Sequence, residues 1–219
     1  MRSLPTLSIL VAVIAAAFTS AAQEPLDSLK DVARRNGATA NSKIDGESPA
    51  MSLKELAQRA DLIIRGRLAT MTTRLSDDES TVFRDFTITP IAILKQPPEL
   101  SRAARPGPLP TLTLRQLGGT IVVEGLTLRT TTNFEDREAP LEAGQDYFLF
   151  LSRALPSRST TMSAAPGVYQ LSSAHWGVYP IRGGKVGNST KWLAQRTDRN
   201  TDDPLAFATL IRDLAKPAR

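Results

Sequence analysis

Residues 111–129, TLTLRQLGGTIVVEGLTLR, decide the fold. Leu112 and Leu114 alternate with Thr113 and Arg115, the period of a strand with one buried face. Gly118-Gly119 predicts a tight turn, and residues 121–123 open a second β-rich run. Gly125 interrupts that run before Leu126 and Leu128 resume the alternation. The stretch reads as a scaffold with a turn and a bend, and it carries no chemistry of its own.

Strands continue on either side. Residues 81–94 read as a long strand marked by Phe86, Ile88, Ile91 and Ile93, with Pro90 at an edge or a bend because it cannot donate to a ladder. Residues 61–68 read as the first strand of the set, with a bulge or bend at Gly66. Ahead of it, Ser52 and Glu55 form a capping box that opens a short helix to about Arg59. Residues 146–151, DYFLFL, are the most apolar strand and are expected to be central. Residues 167–171 and 177–181 are further strands, and Gly183-Gly184 turns the chain into Lys185-Val186. Residues 204–216 are predicted to form an amphipathic helix capped by Asp202 or Asp203, with Leu205, Phe207, Leu210, Ile211 and Leu214 as its stripe.

These elements predict a mainly β protein. The expected form is a small closed or partly open β-barrel, OB-like, with a short N-terminal helix and a C-terminal amphipathic helix. A β-sandwich is the alternative. The expected organisation is a signal peptide over residues 1–22, a flexible linker over 23–50 in which residues 26–35 could form a short amphipathic helix, the barrel over 51–190 and a helix-bearing segment over 191–219.

Arg2 followed by an apolar run over residues 7–18 and the small residues Ala21 and Ala22 has the pattern of an export signal. The run is shorter than the roughly 20 residues that cross a bilayer, so no transmembrane anchor is expected after cleavage. The 219-residue chain has no cysteine, which excludes thiol nucleophiles, thiolate metal sites and a disulfide framework. Export without disulfides points to the bacterial periplasm or extracellular space. The net charge of +5 favours anionic partners only weakly.

With these pieces quoted, a resemblance emerges. ADLIIRGRL at 60–68, Ile93-Leu94-Lys95, the paired glycines after Leu112, and Gly144 before residues 147–151 resemble an uncharacterised family of exported bacterial small β-barrel domains. That family has phrases of the type ADLIVRGRV, VLKG, a GG turn and GERYLLFL. Residues 169–171, 176–181 and 184–186 resemble its closing strands. Here Gln96-Pro97 stands where the family has glycine after the lysine, and the proline-rich loop over 96–110 is longer. The resemblance implies a small barrel similar to oligonucleotide-binding-fold and inhibitor-type barrels. It implies no activity and transfers no functional residues.

The chemistry-bearing residues are few. His175 is the sole histidine, which rules out a multi-histidine metal site, and no nucleophile elbow accompanies it. Asp77, Asp78 and Glu79 lack calcium-loop spacing. Glu124, Glu135, Asp136 and Glu138 are conceivable acid/base carboxylates, but nothing in the sequence opposes them across a cleft. Trp176 and Tyr179, with His175 and Arg182, are the candidate binding residues, as an aromatic and cationic surface. The competing role for Trp176 is to plug a barrel end. No cofactor is called for.

The expected function is a non-enzymatic binding module whose partner is an envelope or extracellular protein or polysaccharide. Nucleic acid is not expected, because no basic patch interleaves with aromatics. An exported hydrolase with a carboxylate-based site and a protease-inhibitor-like module are the alternatives.

Overall fold

The computed structural model describes residues 27–44, 51–97, 110–132, 141–153, 167–173, 177–187 and 201–216. The expected signal segment, most of the proline-rich loop, the loop holding Glu135, Asp136 and Glu138, and the pair His175 and Trp176 lie outside these residues.

The chain is mainly β. Its strands are β1 (Thr39–Ile44), β2 (Leu62–Leu75), β3 (Val82–Lys95), β4 (Leu112–Leu117), β5 (Gly119–Val123), β6 (Leu126–Thr132), β7 (Asp146–Arg153), β8 (Val168–Leu171), β9 (Val178–Arg182) and β10 (Lys185–Val186). Among the described residues three helices accompany them: α1 (Leu29–Arg35), α2 (Leu53–Arg59) and α3 (Pro204–Leu214). Sheet A runs β1-β6-β5, and sheet B runs β10-β9-β7-β2-β3-β4-β8. In sheet B, β8 also pairs with β7, so hydrogen bonds form a ring β2-β3-β4-β8-β7 back to β2. The joint between β4 and β8 is parallel, and the other joints of the ring are antiparallel.

The ring has an apolar inner face because all five strands turn an alternate set of large side chains the same way. Ile64, Phe86, Leu114, Leu149 and Tyr169, one from each strand, meet in one buried cluster. β7 is buried from Tyr147 to Leu151 on both faces, which explains its unbroken apolar run. Tyr147, Leu149 and Leu151 face the inner cluster, while Phe148 and Phe150 face α2 and α3. There Phe207 of α3 meets Phe148 edge-on at 5.1 Å between centroids and Tyr179 at 5.2 Å. Each such buried aromatic stabilises by about 1.5–3 kcal/mol relative to exposure.

Several local expectations hold. Ser52 and Glu55 make both bonds of the capping box. Asp203 caps α3 through Ala206 N, with Pro204 in the first turn. The β2–β3 register shifts at Gly66, where an added Cβ would lie 2.7 Å from Ile88 Cγ2. Pro90 lies beyond Ile88, the last β3 residue paired with β4, so its missing donor interrupts no bond to that strand.

Other expectations are corrected. Gly118-Gly119 is no hairpin turn, since β4 and β5 belong to different sheets and the chain changes sheet there. Gly118 N donates to Val82 O, and a Cβ on Gly119 would sit 3.1 Å from Arg84 Cγ, so glycine lets β5 approach the β2–β3 hairpin closely. The tight turn is Glu124-Gly125, with φ of 54° and 77° between paired Val123 and Leu126. Within the span 23–50, expected as a linker with a short helix near 26–35, the structure has that helix as α1 and adds β1. β1 pairs in parallel with β6, from Thr39 opposite Thr127 to Ile44 opposite Thr132. Its sequence TANSKI lacks an apolar alternation, and its order comes from the ladder. Leu205, expected in the buried stripe of α3, is 74% exposed, and Phe207 and Ile211 are the buried residues of that helix.

Candidate functional site

The outer surface of the ring divides in two. Over β7, β9 and the start of β2 it is apolar and covered by α2 and α3. Further along β2, and across β3 and β4, the outward positions are arginine, aspartate and threonine. The strand register assembles them into rows. Arg67 lies between Asp146 of β7 and Thr89 of β3. Thr87 of β3 lies between Thr70 and Thr113, and Asp85 lies between Thr72 and Arg115. In the last row Phe83 lies between Arg74 and Leu117. Threonine suits these positions, because a β-branched side chain fits the pleat while its hydroxyl meets water.

Each aspartate gathers two arginines. Arg115 donates to Asp85 through Nε and Nη2, both at 2.7 Å, and its guanidinium lies 5.6 Å from the Phe83 ring centroid. Arg74 Nε stands 3.8 Å from the same carboxylate. Arg67 Nε donates to Asp146 Oδ1 at 2.7 Å, and Arg65 Nη2 reaches Asp146 Oδ2 at 3.4 Å. The hydrogen bond from Arg115 to Asp85 raises the guanidinium above its usual pKa, and the bond to Asp146 does the same for Arg67. Arginine is charged at any ordinary pH, so four of them against two aspartates leave this face positive.

The members of each pair differ in exposure. The Arg115 side chain is 7% exposed and anchors its row, whereas Arg67 is 59% and Arg74 39% exposed. Arg67 is thus held by Asp146 yet open to solvent, and Arg74 is half-buried beside Asp85. The Nε atoms of Arg65 and Arg74 are buried and lack a hydrogen-bond partner among the described residues.

Of the four candidate binding residues, His175 and Trp176 lie outside the described residues, and Tyr179 and Arg182 can be placed. Tyr179 is 1% exposed and packs between Phe150 and Phe207, so it offers nothing to a ligand. Arg182 is exposed and donates to Glu142 Oε1 at 2.9 Å, at the opposite end of β9 from Val178. Glu124 is drawn into ion pairs with Lys30 and Arg34. The residues that do assemble carry a signal in the sequence that the aromatic and histidine positions overshadowed. Thr70, Thr72 and Arg74, then Asp85, Thr87 and Thr89, then Thr113 and Arg115 repeat polar residues at period two in three consecutive strands.

Among the described residues, no group of three or more His, Cys, Asp or Glu is placed to hold a metal ion. Among them, too, no helix is long and apolar enough to cross a membrane. Compared with known proteins, the chain matches no family model and no curated protein.

Proposed function

We propose that this protein is an exported, non-enzymatic binding module of the periplasm or extracellular space. We read its five-strand ring as a small OB-like barrel, and the outer face of β2, β3 and β4 as its binding surface. The ring of hydrogen bonds supports the barrel reading, because the pairing runs through five strands and returns from β7 to β2. The apolar run over residues 7–18 supports export. The partner class is an envelope or extracellular protein or polysaccharide.

The observation that carries the reading is a pair of arginines beside aspartates on one face, the exposed Arg67 bonded to Asp146 and the half-buried Arg74 at 3.8 Å from Asp85. A guanidinium already held in place loses less side-chain freedom on binding, which leaves more of the contact energy as affinity. The test is an amide chemical-shift titration of the mature protein with purified peptidoglycan fragments, lipopolysaccharide, and neutral and acidic polysaccharides. Shifts clustered on the outward positions of β2, β3 and β4 are expected. Shifts confined to other surfaces, or none with any component, would overturn the reading. N-terminal sequencing of the exported protein should find cleavage near Ala22, and a chain retained with its first 20 residues would refute export.

A further inference from the structure

We infer that the ligand of the β2–β3–β4 face is an acidic polysaccharide, an extended sugar chain carrying carboxylates at intervals. The inference rests on the binding-module reading above and specifies its partner. Three features of the face lead to it.

The first is the state of the arginines. Arg67 commits its Nε to Asp146, and the rest of its fork extends into solvent on a side chain that is 59% exposed. A guanidinium presents five donors in one plane, so one used on the aspartate leaves a pair of terminal amino groups for a second carboxylate. Arg74 sits near Asp85 at the longer distance of 3.8 Å, while Arg115 makes the two short bonds to that aspartate. Of the two cations around Asp85, Arg74 is therefore the one whose charge is least consumed.

The second is spacing. Arg67 and Arg74 are seven positions apart on one strand, roughly 20 Å at the rise of a β-strand. An odd separation would put them on opposite faces, but the register shift between Leu68 and Thr70 keeps both outward. The outward β2 residues between them, Thr70 and Thr72, are uncharged. Thr87 and Thr89 on β3 and Thr113 on β4 extend this neutral zone sideways. Two cations at the ends of a bed of hydroxyls match a polymer with sparse acid groups and many hydroxyls. Each threonine hydroxyl both donates and accepts, as a sugar hydroxyl does.

The third is what the face offers a rival ligand. A nucleic acid strand needs aromatic platforms for its bases. The aromatic residue of this face, Phe83, is 1% exposed beneath Arg115. An anionic bilayer calls for a dense lysine and arginine cluster, whereas this face keeps Arg67 and Arg74 far apart and sets each beside an aspartate.

The test is calorimetric titration of the mature protein with polygalacturonate at low salt. The parallel arms are dextran, single-stranded DNA and vesicles of mixed phosphatidylglycerol and phosphatidylcholine. Polygalacturonate should bind, and its affinity should fall as salt rises. The double variant Arg67→Gln/Arg74→Gln should weaken it at least tenfold. Arg182→Gln, an exposed arginine off this face, should change it less than twofold. Unchanged melting would show that each variant still folds. An equal loss from Arg182→Gln would reduce the effect to net charge and overturn the inference. Tighter binding to vesicles or DNA than to polygalacturonate would also overturn it. If polygalacturonate fails while another component shifts amides on this face, the ligand class is wrong and the surface stands. If no component perturbs the face, the binding-module reading falls as well.

Discussion

Arg115 and Asp85 face each other across β4 and β3 and share two parallel hydrogen bonds of 2.7 Å. With the Arg115 side chain 7% and the Asp85 side chain 15% exposed, this pair is shielded from the solvent screening that makes most surface ion pairs weak. Arg115→Ala should therefore cost about 3 kcal/mol, because it strips a largely buried carboxylate of its main partner. Arg115→Lys should cost less but still measurably, since an ammonium cannot fork the carboxylate. Urea unfolding checks both, and a lysine variant as stable as the parent would show that the fork adds nothing.

Gly66 is needed for its missing side chain. An added Cβ would meet Ile88 Cγ2 at 2.7 Å, and Ile88 is fully buried with little room to yield. Gly66→Ala should destabilise by about 1–3 kcal/mol through overpacking. Ile88→Leu removes the clashing methyl from Cβ, so adding it to Gly66→Ala should recover part of the loss. Thermal melting of the single and double variants decides it, and strictly additive losses would refute the steric account.

Thr130 joins the two sheets. Its Oγ1 accepts from Val82 N at 2.9 Å and lies 2.8 Å from Ser42 Oγ, and the residue is fully buried. Thr130→Val keeps the shape but leaves the Val82 amide unpaired, a cost of about 1–3 kcal/mol. Amide exchange at Val82 should accelerate more than at Phe86, which lies in the ring. Uniform acceleration across sheet B would count against this local role.

Acid should loosen α1 first. Lys30 bonds Glu79 at 2.8 Å and Glu124 at 3.1 Å, and Arg34 adds a bond to Glu124 at 3.1 Å. The Lys30 bond holds the Glu124 carboxyl below its ordinary value of 4.5. A group with a depressed folded pKa contributes stability above its unfolded value and loses it as pH falls through the folded one. Lys30, raised first by its bond to Glu79, keeps its charge throughout that range. Exchange protection of α1, corrected for intrinsic rates, should therefore hold at neutral pH and decline below about pH 4.5. Protection unchanged down to about pH 2 would contradict the ion-pair account.

The legible parts of the fold were those where one local rule suffices. Ser52 with Glu55, Asp203 ahead of Pro204, and the run from Tyr147 to Leu151 each declare their structure through a cap or through burial on both faces. The double glycine did not, because a tight turn and a change of sheet ask the same freedom of the backbone. β1 was illegible because its polar residues owe their order to a partner strand far along the chain. The face was missed for a related reason. Arg67, Arg74 and Asp85 look like ordinary solvated charges until the register puts them in adjoining rows. The sequence marks Tyr179 as a surface aromatic because Trp176, His175 and Arg182 lie close in the chain, whereas its neighbours in space are Phe150 and Phe207.

The parallel pairing of β1 with β6 sets an order of events. Ser42 and Thr130 touch across 88 residues of sequence, so β1 has no template until the β5–β6 hairpin has formed. Closing so long a loop is slow compared with making a hairpin. β1, synthesised before β5 and β6, is thus the last strand of sheet A to find its place. Pulse-labelled exchange during refolding should show amides of β6 protected before those of β1.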